Sequence, residues 1–316
     1  MPAPMTSEQL ADRTSRAFDA AVAAGRDLGL TVTEATVLHD VFSVVVHLAP
    51  SPVVVRVPTV LPGYLEPRDQ AARQQAELDV VAWLAERGDP VIPPSPLVSR
   101  EPVQRNGFSM TFWQFAEQDR AEPDYVDNCR LVADLHAVLR DYPGELPFLS
   151  AAEPRMVDEG LAALAANPDL IDPADLDRAR NEWAVLAPII RSRNAFEATF
   201  PGIDLQPIHG DAPAANIVAT PTGPLYSDFE LVSLGPVEWD LAFFGPEGEA
   251  AYNSGARLHG MRELDERLLR FVNAVGAVRT VACLALVPQL PMLAEALKPA
   301  MDQWRTMPPI SDDLGG

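Results

Sequence analysis

Three oxygen-bearing side chains follow one another at short spacing in the second half of the chain. Asp211 lies in QPIHGDAPAANIV (206–218), four residues separate it from Asn216, and Asp228 comes twelve residues after Asn216 in YSDFEL. A carboxylate that accepts a hydroxyl proton, together with an amide and a second carboxylate that hold Mg²⁺, is what phosphoryl transfer requires. The segment therefore predicts a phosphoryl-transfer site.

A hairpin between Asn216 and Asp228 would position two of these side chains. The apolar run that follows Asn216 and the stretch PLYSDFEL flank turn residues, as the two strands of a hairpin do. Such a hairpin would bring Asn216 and Asp228 to the same end of the strands, with Asp211 a few residues back on the preceding loop. The surrounding sequence has helical periodicity over 124–141, 152–166, 173–199, 257–277 and 279–297.

The first third of the chain has a different pattern. A helix is predicted over 6–29, and three valine-rich runs separated by turn residues, EATVLHD, SVVVHLAP and SPVVVRVP, predict consecutive antiparallel strands. A helix over 66–87, a proline-dense loop and a strand pair ending in MTFWQF follow. The pattern predicts an α+β fold with two domains: residues 1–115, with the leading helix, a five-stranded antiparallel sheet and one long helix, and residues 116–316, mostly helical. A cleft between such lobes is where ligands tend to bind.

The charge balance limits the partners. The 316 residues include 24 Lys and Arg against 45 Asp and Glu, a net charge of −21, which argues against nucleic-acid binding. Residues 116–316 carry 32 acidic and 15 basic side chains, which suits either a solubility surface or a lobe that attracts a cationic small molecule. The two cysteines form no ligand pattern, and neither a membrane span nor a signal peptide is expected. A cytoplasmic location is therefore expected.

The two segments resemble the catalytic loop and metal aspartate of the aminoglycoside phosphotransferase and choline kinase-like family, relatives of the protein kinases. His-Gly-Asp, four residues and Asn, then Asp with an aromatic residue and Glu, match that family, as does the downstream run Trp239-Asp240-Leu241-Ala242. The resemblance implies a bilobal protein-kinase-like fold. It also implies that Asp211 is the base, that Asn216 and Asp228 hold Mg²⁺, and that His209 organises the loop.

The resemblance extends over residues 35–245 and implies nucleotide-binding positions in the first lobe. The family has a lysine on the third strand that contacts phosphates and pairs with a helix glutamate; the matching residues are Arg56 and Glu77. Arg56 can equally be a solvent-facing edge arginine, and Glu77 an exposed helix acid. The family's phosphate loop corresponds to residues 38–46, which lack glycine, so that Ser43 is either a phosphate contact or a plain turn serine. Backbone groups of Gln114, Phe115 and Ala116 would meet the nucleobase.

The resulting function is a kinase that moves the γ-phosphate of ATP or GTP to a hydroxyl of an aminoglycoside-like or other small acceptor. Eight carboxylates are candidates for a cationic acceptor: Asp119, Glu122, Asp124, Asp127, Glu230, Glu238, Glu247 and Glu249. His136 is expected to be structural. The alternative is a nucleotide-binding module with little or no turnover, because of Arg56 and the glycine-free loop. A protein kinase is disfavoured, since the segment between Asp228 and Trp239 is too short for an activation loop.

Overall fold

The computed structural model describes residues 5–119 and 122–310 of the chain. Contacts between residues divide them into two compact units. The first, the sheet unit, comprises residues 5–122 and 216–231, and the second, the helical unit, comprises residues 123–215 and 232–310.

The sheet unit contains the predicted five-stranded antiparallel sheet, with strand order β1-β2-β3-β5-β4. Helix α1 begins with a capping box between Thr6 and Gln9, and helix α2 ends at Gly88, which has the left-handed conformation that glycine adopts without strain. The elements are α1 (Ser7–Asp27), β1 (Thr36–Asp40), β2 (Ser43–His47), β3 (Val53–Pro58), α2 (Pro67–Arg87), β4 (Val103–Arg105) and β5 (Phe108–Gln114).

Strand alternation gives the sheet two different faces. Alternate valines of β2 and β3 are fully buried in one cluster with the alanines of α1, among them Val55, Val57, Ala17 and Ala21. Side chains of successive residues in a strand point to opposite faces of the sheet. Arg56, between Val55 and Val57, therefore points away from this cluster. Strand β3 lies between β2 and β5, inside the sheet.

The predicted hairpin is present as β7 (Ile217–Thr220) and β8 (Gly223–Tyr226). Its backbone bonds to the chain that follows α2: the N–H of Tyr226 donates to the carbonyl of Pro90 at 2.8 Å, and the N–H of Ile92 donates to the carbonyl of Tyr226 at 3.0 Å. These bonds explain why residues 216–231 belong to the sheet unit, whereas the sequence-based boundary at 115/116 assigned them to the C-terminal domain.

The helical unit is built of helices and one short strand pair, β6 (Gln206–Ile208) with β9 (Ser233–Gly235). Its helices are α3 (Tyr125–Leu139), α4 (Pro154–Ala166), α5 (Pro173–Ile190), α6 (Arg193–Thr199), α7 (Gly245–Leu258), α8 (Glu266–Cys283), α9 (Leu293–Ala296) and α10 (Lys298–Thr306). The sheet plus helix and the mostly helical remainder agree with the predicted fold class.

Several predicted helix limits in this unit are wrong. The helix expected over 173–199 is two helices, because Ser192 caps α6 through a 3.3 Å bond from the N–H of Ala195. The helix expected over 257–277 begins only at Glu266, after Gly260 takes a φ of 63° and Asp265 caps α8. The helix expected over 279–297 is the end of α8, a short 3₁₀ turn and α9. Helix α7 was not predicted.

The segment Glu266–Leu286 is the one part of residues 5–119 and 122–310 that is long and apolar enough for a membrane span by composition. Of its most apolar 18-residue window, 56% is buried inside the protein. Its buried side chains include Phe271, Val275 and Val278. A core helix has the same composition, so this segment is weak evidence for a membrane.

Candidate active site

A buried carboxylate fixes the backbone of the His209-Gly210-Asp211 loop. The N–H of His209 donates to Oδ2 of Asp240 and the N–H of Gly210 donates to Oδ1, each at 2.8 Å. The indole N–H of Trp239 donates to the carbonyl of Gly210 at 3.0 Å. The loop is therefore held through both N–H and C=O groups by two neighbouring residues of one short 3₁₀ helix, Val237–Leu241.

A second layer holds Asp240 itself. Nε2 of His136 lies 2.9 Å from Oδ2 of Asp240, and Nδ1 of His136 lies 3.0 Å from the hydroxyl of Tyr252. A neutral His136 that donates from Nε2 to the carboxylate accepts at Nδ1 from the tyrosine. Burial raises the pKa of Tyr252, so it stays a hydroxyl donor. His136, Asp240 and Tyr252 are fully buried. They form a scaffold beneath the loop that carries Asp211.

The loop then turns tightly toward Asn216. Gly210 has a φ of 90° and Ala212 a φ of 41°, both left-handed. A 3₁₀ turn over Pro213–Ala215 follows, and the side-chain amide of Asn128 donates to the carbonyl of Ala214 at 2.8 Å. The N–H of Asp211 donates to Nδ1 of His209 at 3.3 Å, and the side chain of Asp211 is half-buried. His209 thus contacts the loop from within, as the predicted organiser would.

Arg56 is the centre of a second cluster, in the sheet unit. Its Nη2 donates to Glu77, and its Nη1 donates both to Asp228 and, at 2.8 Å, to Glu230. Arg56 is 9% exposed and Glu77 1%, whereas the side chains of Asp228 and Glu230 are 38% and 40% exposed. Arg56 is therefore not a solvent-facing edge residue, and Glu77 is not an exposed helix acid.

In this cluster one guanidinium contacts three carboxylates. Burial alone would lower the pKa of Arg56, but the carboxylates raise it overall, and the guanidinium stays cationic. Burial raises the pKa of Glu77 to about 8; Asp228 and Glu230 add to the rise, while Arg56 opposes it. The side chains of Asp228 and Glu230 are partly exposed, so a divalent cation can reach them.

Asn216 and Asp228 have the chemistry to hold such a cation. They lie at the base of the hairpin, where the N–H of Ser227 donates to the carbonyl of Asn216 at 3.0 Å. Both side chains are half-buried and offer hard oxygen atoms, which fit Mg²⁺. Asp228 has a φ of 63°, unusual for a residue other than glycine, and buried Phe229 follows it. Within the described ranges, no group of three or more His, Cys, Asp or Glu side chains forms a metal site. Magnesium commonly uses one or two carboxylates plus phosphate and water.

The expected phosphate loop is a tight turn. Residues 36–40 and 43–47 are strands, so only Val41 and Phe42 connect them, and Ser43 is the first residue of β2. The shortness follows from direct pairing of the strand ends, Asp40 with Val44.

The backbone groups expected to meet a nucleobase are partly occupied. The N–H of Gln114 donates to Pro93 at 2.9 Å and that of Phe115 donates to Pro52 at 3.0 Å. The Phe115 ring stacks on His47, with centroids 4.0 Å apart. Among the described residues, only Ala116 of the three predicted positions keeps an N–H without a hydrogen bond.

Several acidic candidates for acceptor binding have other partners. Glu238 is fully buried and pairs with Arg262, with Nη2 2.8 Å from Oε2. Glu230 binds Arg56, and Asp124 caps α3. Asp127 pairs with Arg130 at 3.0 Å. Glu247 and Glu249, near the start of α7, form no ion pair with any described residue.

The two units divide the predicted site residues between them. His209 and Asp211 belong to the helical unit; the sheet unit contains Ser43, Arg56, Glu77, Gln114, Phe115, Ala116, Asn216 and Asp228. The meeting of Asp211 with Asn216 and Asp228 stays a prediction from the sequence. Sequence reasoning did not find Glu230 as a partner of Arg56, because residues 228–230 lie outside the strands and Asp228 has a left-handed φ, so no periodicity signals the contact.

Comparison with known proteins decides the family. The profile of the phosphotransferase enzyme family matches residues 43–259, more than two thirds of the 316 residues. The chain belongs to this family. No sequence among curated proteins matches it.

Solved structures of several small-molecule kinases and phosphotransferases share the fold. An amicoumacin kinase in complex with AMP-PNP, Ca²⁺ and its ligand has a TM-score of 0.60 at 14% identity, covering 94% of this chain and 96% of that one. The aminoglycoside phosphotransferase APH(3'')-Id from Streptomyces rimosus has 0.53 at 21%, covering 82% and 96%. A choline kinase from Streptococcus pneumoniae has 0.57 at 12%, covering 90% and 97%. At these identities the likeness establishes the fold, and the predicted protein-kinase-like class is confirmed.

Membership of the phosphotransferase enzyme family supports a small-molecule phosphotransferase at the coarse level. The matched region contains both clusters: Arg56 with its three carboxylates and the Asp240 network beneath the Asp211 loop. The family resemblance stated from the motifs is therefore confirmed.

Proposed function

We propose that this phosphotransferase transfers the γ-phosphate of ATP or GTP to a hydroxyl of a small-molecule acceptor. The observation that carries the proposal is the cluster at the hairpin base, where Arg56 binds Glu77 and Asp228. Half-exposed carboxylates beside a buried guanidinium suit a site for a divalent cation and nucleotide phosphates, and the side-chain oxygen of Asn216 would add a second metal ligand.

Asp211 is the proposed base. The acceptor oxygen bonds to the γ-phosphorus, the bond from that phosphorus to the β,γ-bridging oxygen breaks, and the hydroxyl proton passes to the Asp211 carboxylate while the nucleoside diphosphate leaves. Mg²⁺, held by Asn216 and Asp228, would supply charge neutralisation of the phosphates. The Asp240 network keeps the loop backbone in place, which reduces the cost of positioning the base.

Arg56 is the proposed phosphate contact. Its guanidinium remains cationic, and its fork presents donors in fixed directions. Glu77 anchors Nη2 from the fully buried side. The remaining donors are therefore presented from a fixed position rather than from a mobile side chain.

Replacing the base tests the proposal most directly. Asp211→Asn removes the proton acceptor and should lower phosphate transfer by about 10²–10⁴-fold, measured as nucleoside diphosphate release with acceptor present. The thermal shift produced by Mg-nucleotide should persist. Asp204→Asn is the matched control, because Asp204 is an exposed acid seven residues earlier in the chain. Full activity of Asp211→Asn, or equal loss in both variants, would contradict the proposal.

The acceptor is proposed to be a hydroxyl compound, and a cationic one suits the acidic helical unit. The similar structures are named for aminoglycoside, amicoumacin and choline phosphorylation, which sets the range of a first panel. Glu247 and Glu249 are the acidic candidates without an ion pair among the described residues of the helical unit. A panel of aminoglycosides, macrolides, amino sugars and amino alcohols, each tested with ATP and GTP, identifies the class.

A nucleotide-binding module with little turnover is the second candidate. It is favoured by the two-residue turn at Val41 and Phe42, which leaves no glycine-rich backbone loop over the phosphates. A Mg-nucleotide thermal shift combined with no transfer to any acceptor of the panel would favour this alternative over the kinase.

A further inference from the structure

The two terminal nitrogens of Arg56 have different partners. Nη2 donates to Glu77, which is 1% exposed and has no access to solvent. Nη1 is shared between Asp228 and Glu230, whose side chains are 38% and 40% exposed. One side of the guanidinium is therefore fixed by a buried anchor, and the other is bound to carboxylates that solvent and ions can reach.

Exchange of partners is easier on the exposed side. Losing the only partner of a buried carboxylate is costly, because the charge is left without compensation. Half-exposed carboxylates regain water when an ion pair opens, so such pairs contribute little. A cation that approaches the cluster will thus separate Arg56 from Asp228 before it separates Arg56 from Glu77.

We propose that Arg56 is the counter-cation of Asp228 in the metal-free protein, so that a divalent cation and Arg56 compete for this carboxylate. The inference rests on the proposed function, which assigns Asp228 as a metal ligand. Metal binding breaks the contact between Nη1 and Asp228, while Glu77 keeps Nη2 in place. The Nη1 donor released from Asp228 then becomes available for a nucleotide phosphate only when the metal is bound.

The unused donor of Arg56 agrees with this role. Among the described residues, Nε of Arg56 is buried and has no hydrogen-bond partner. The guanidinium is thus not saturated by its three carboxylates. Such a group can adopt a new partner without breaking its buried anchor.

Metal binding to the nucleotide-free protein tests the competition. Mn²⁺ serves as the probe, and the electron paramagnetic resonance signal of free Mn²⁺ gives the dissociation constant. Arg56→Lys keeps the positive charge but replaces the guanidinium, which has two terminal nitrogens, with a single ammonium group. This ammonium should pair with buried Glu77 rather than with Asp228. Mn²⁺ should then bind about fivefold more tightly than to the wild type, the size expected for loss of a half-exposed ion pair. Arg178→Lys, paired with buried Glu182 in the helical unit, is the matched control and should leave the constant unchanged.

Asp228→Asn separates this inference from the proposed function. If Asp228→Asn abolishes Mn²⁺ binding with nucleotide present and Arg56→Lys tightens it without nucleotide, both stand. If Asp228→Asn abolishes binding but Arg56→Lys binds Mn²⁺ equally or less well, the competition is wrong and the metal site stands. If Asp228→Asn leaves Mn²⁺ binding intact, the assigned ligand is wrong, and both fall.

A measurement on the wild type covers the case in which Arg56→Lys does not fold. Nitrogen and carbon resonances of the Arg56 guanidinium, followed by NMR during a Mg²⁺ titration without nucleotide, report its partners. The competition predicts that these resonances shift with the metal occupancy. Unchanged Arg56 resonances at saturating Mg²⁺ would overturn it.

Discussion

The Asp240 network and the Arg56 cluster both gather acidic side chains around fixed donors, but they differ in exposure. Asp240 is fully buried, and its two oxygens receive two backbone N–H groups and His136. In the Arg56 cluster three carboxylates contact one guanidinium, and two of them are more than a third exposed. A satisfied buried network maintains one geometry, whereas carboxylates that solvent reaches can exchange partners.

The largest expected effect is at Asp240. In Asp240→Asn one acceptor oxygen becomes an NH₂ group that faces a donor, so at least one buried N–H or the His136 contact loses its partner. We expect a loss of about 2–4 kcal/mol in the free energy of unfolding, measured by urea denaturation. Asp158→Asn is the control: Asp158 accepts the indole N–H of Trp183 at 2.8 Å, but its side chain is 47% exposed. Equal effects at both positions would remove the distinction between the two clusters.

The same substitution at two arginine-bound glutamates sharpens the comparison. Glu238 is fully buried, binds Arg262 at 2.8 Å and accepts the N–H of Asp265 at 2.8 Å. Glu238→Gln should cost about 1.5–3 kcal/mol of unfolding free energy, because Arg262 loses its charged partner. Glu230→Gln should change it by less than about 0.5 kcal/mol, since Asp228 and Glu77 still compensate Arg56. Denaturation of both variants in one buffer decides; a large loss in Glu230→Gln would mean that a half-exposed glutamate matters as much for stability as buried Glu238.

A pH dependence of stability is expected from Glu77. Its pKa is raised from 4.5 to about 8 in the folded protein. Between these values the folded state binds more protons than the unfolded state, so stability present below pH 4.5 is lost as the pH rises through 8. Glu77→Gln removes this pH dependence of the unfolding free energy. The unfolding free energy of the variant minus that of the wild type should therefore rise by about 1–3 kcal/mol between pH 5 and pH 8. Denaturation at both pH values measures this; a parallel dependence would show that Glu77 is ionised throughout.

The sequence predicted the elements with strong periodicity. The valine-rich runs, α2 and the hairpin after Asn216 were all found, because alternation, caps and turn residues agree there. Helix α7 was missed, since GPEGEAAYNSGARL contains glycine at three positions and few large apolar residues. Packing against α3 stabilises this helix, although its sequence has only a weak helical pattern.

The site was only partly accessible to sequence reasoning. The motifs predict roles for Asp211, Asn216 and Asp228, which stay predictions, and the structure brings Arg56 and Glu77 together. The contact of Glu230 with Arg56 and the contacts of Asp240 and Trp239 with the Asp211 loop join residues 29 to 174 positions apart, which spacing along the chain does not reveal. The occupied N–H groups of Gln114 and Phe115 likewise depend on Pro93 and Pro52.

The assignment of residues 216–231 to the sheet unit has a consequence for dissecting the gene. From residue 5 onward the polypeptide changes units after positions 122, 215 and 231, so no single cut separates them. In a fragment that ends at 122, Arg56 would keep Glu77 but lose its contacts with Asp228 and Glu230. In the complementary fragment, the hairpin would lose its backbone hydrogen bonds to Pro90 and Ile92. Split versions of this enzyme would therefore need the 216–231 segment grafted onto the first piece.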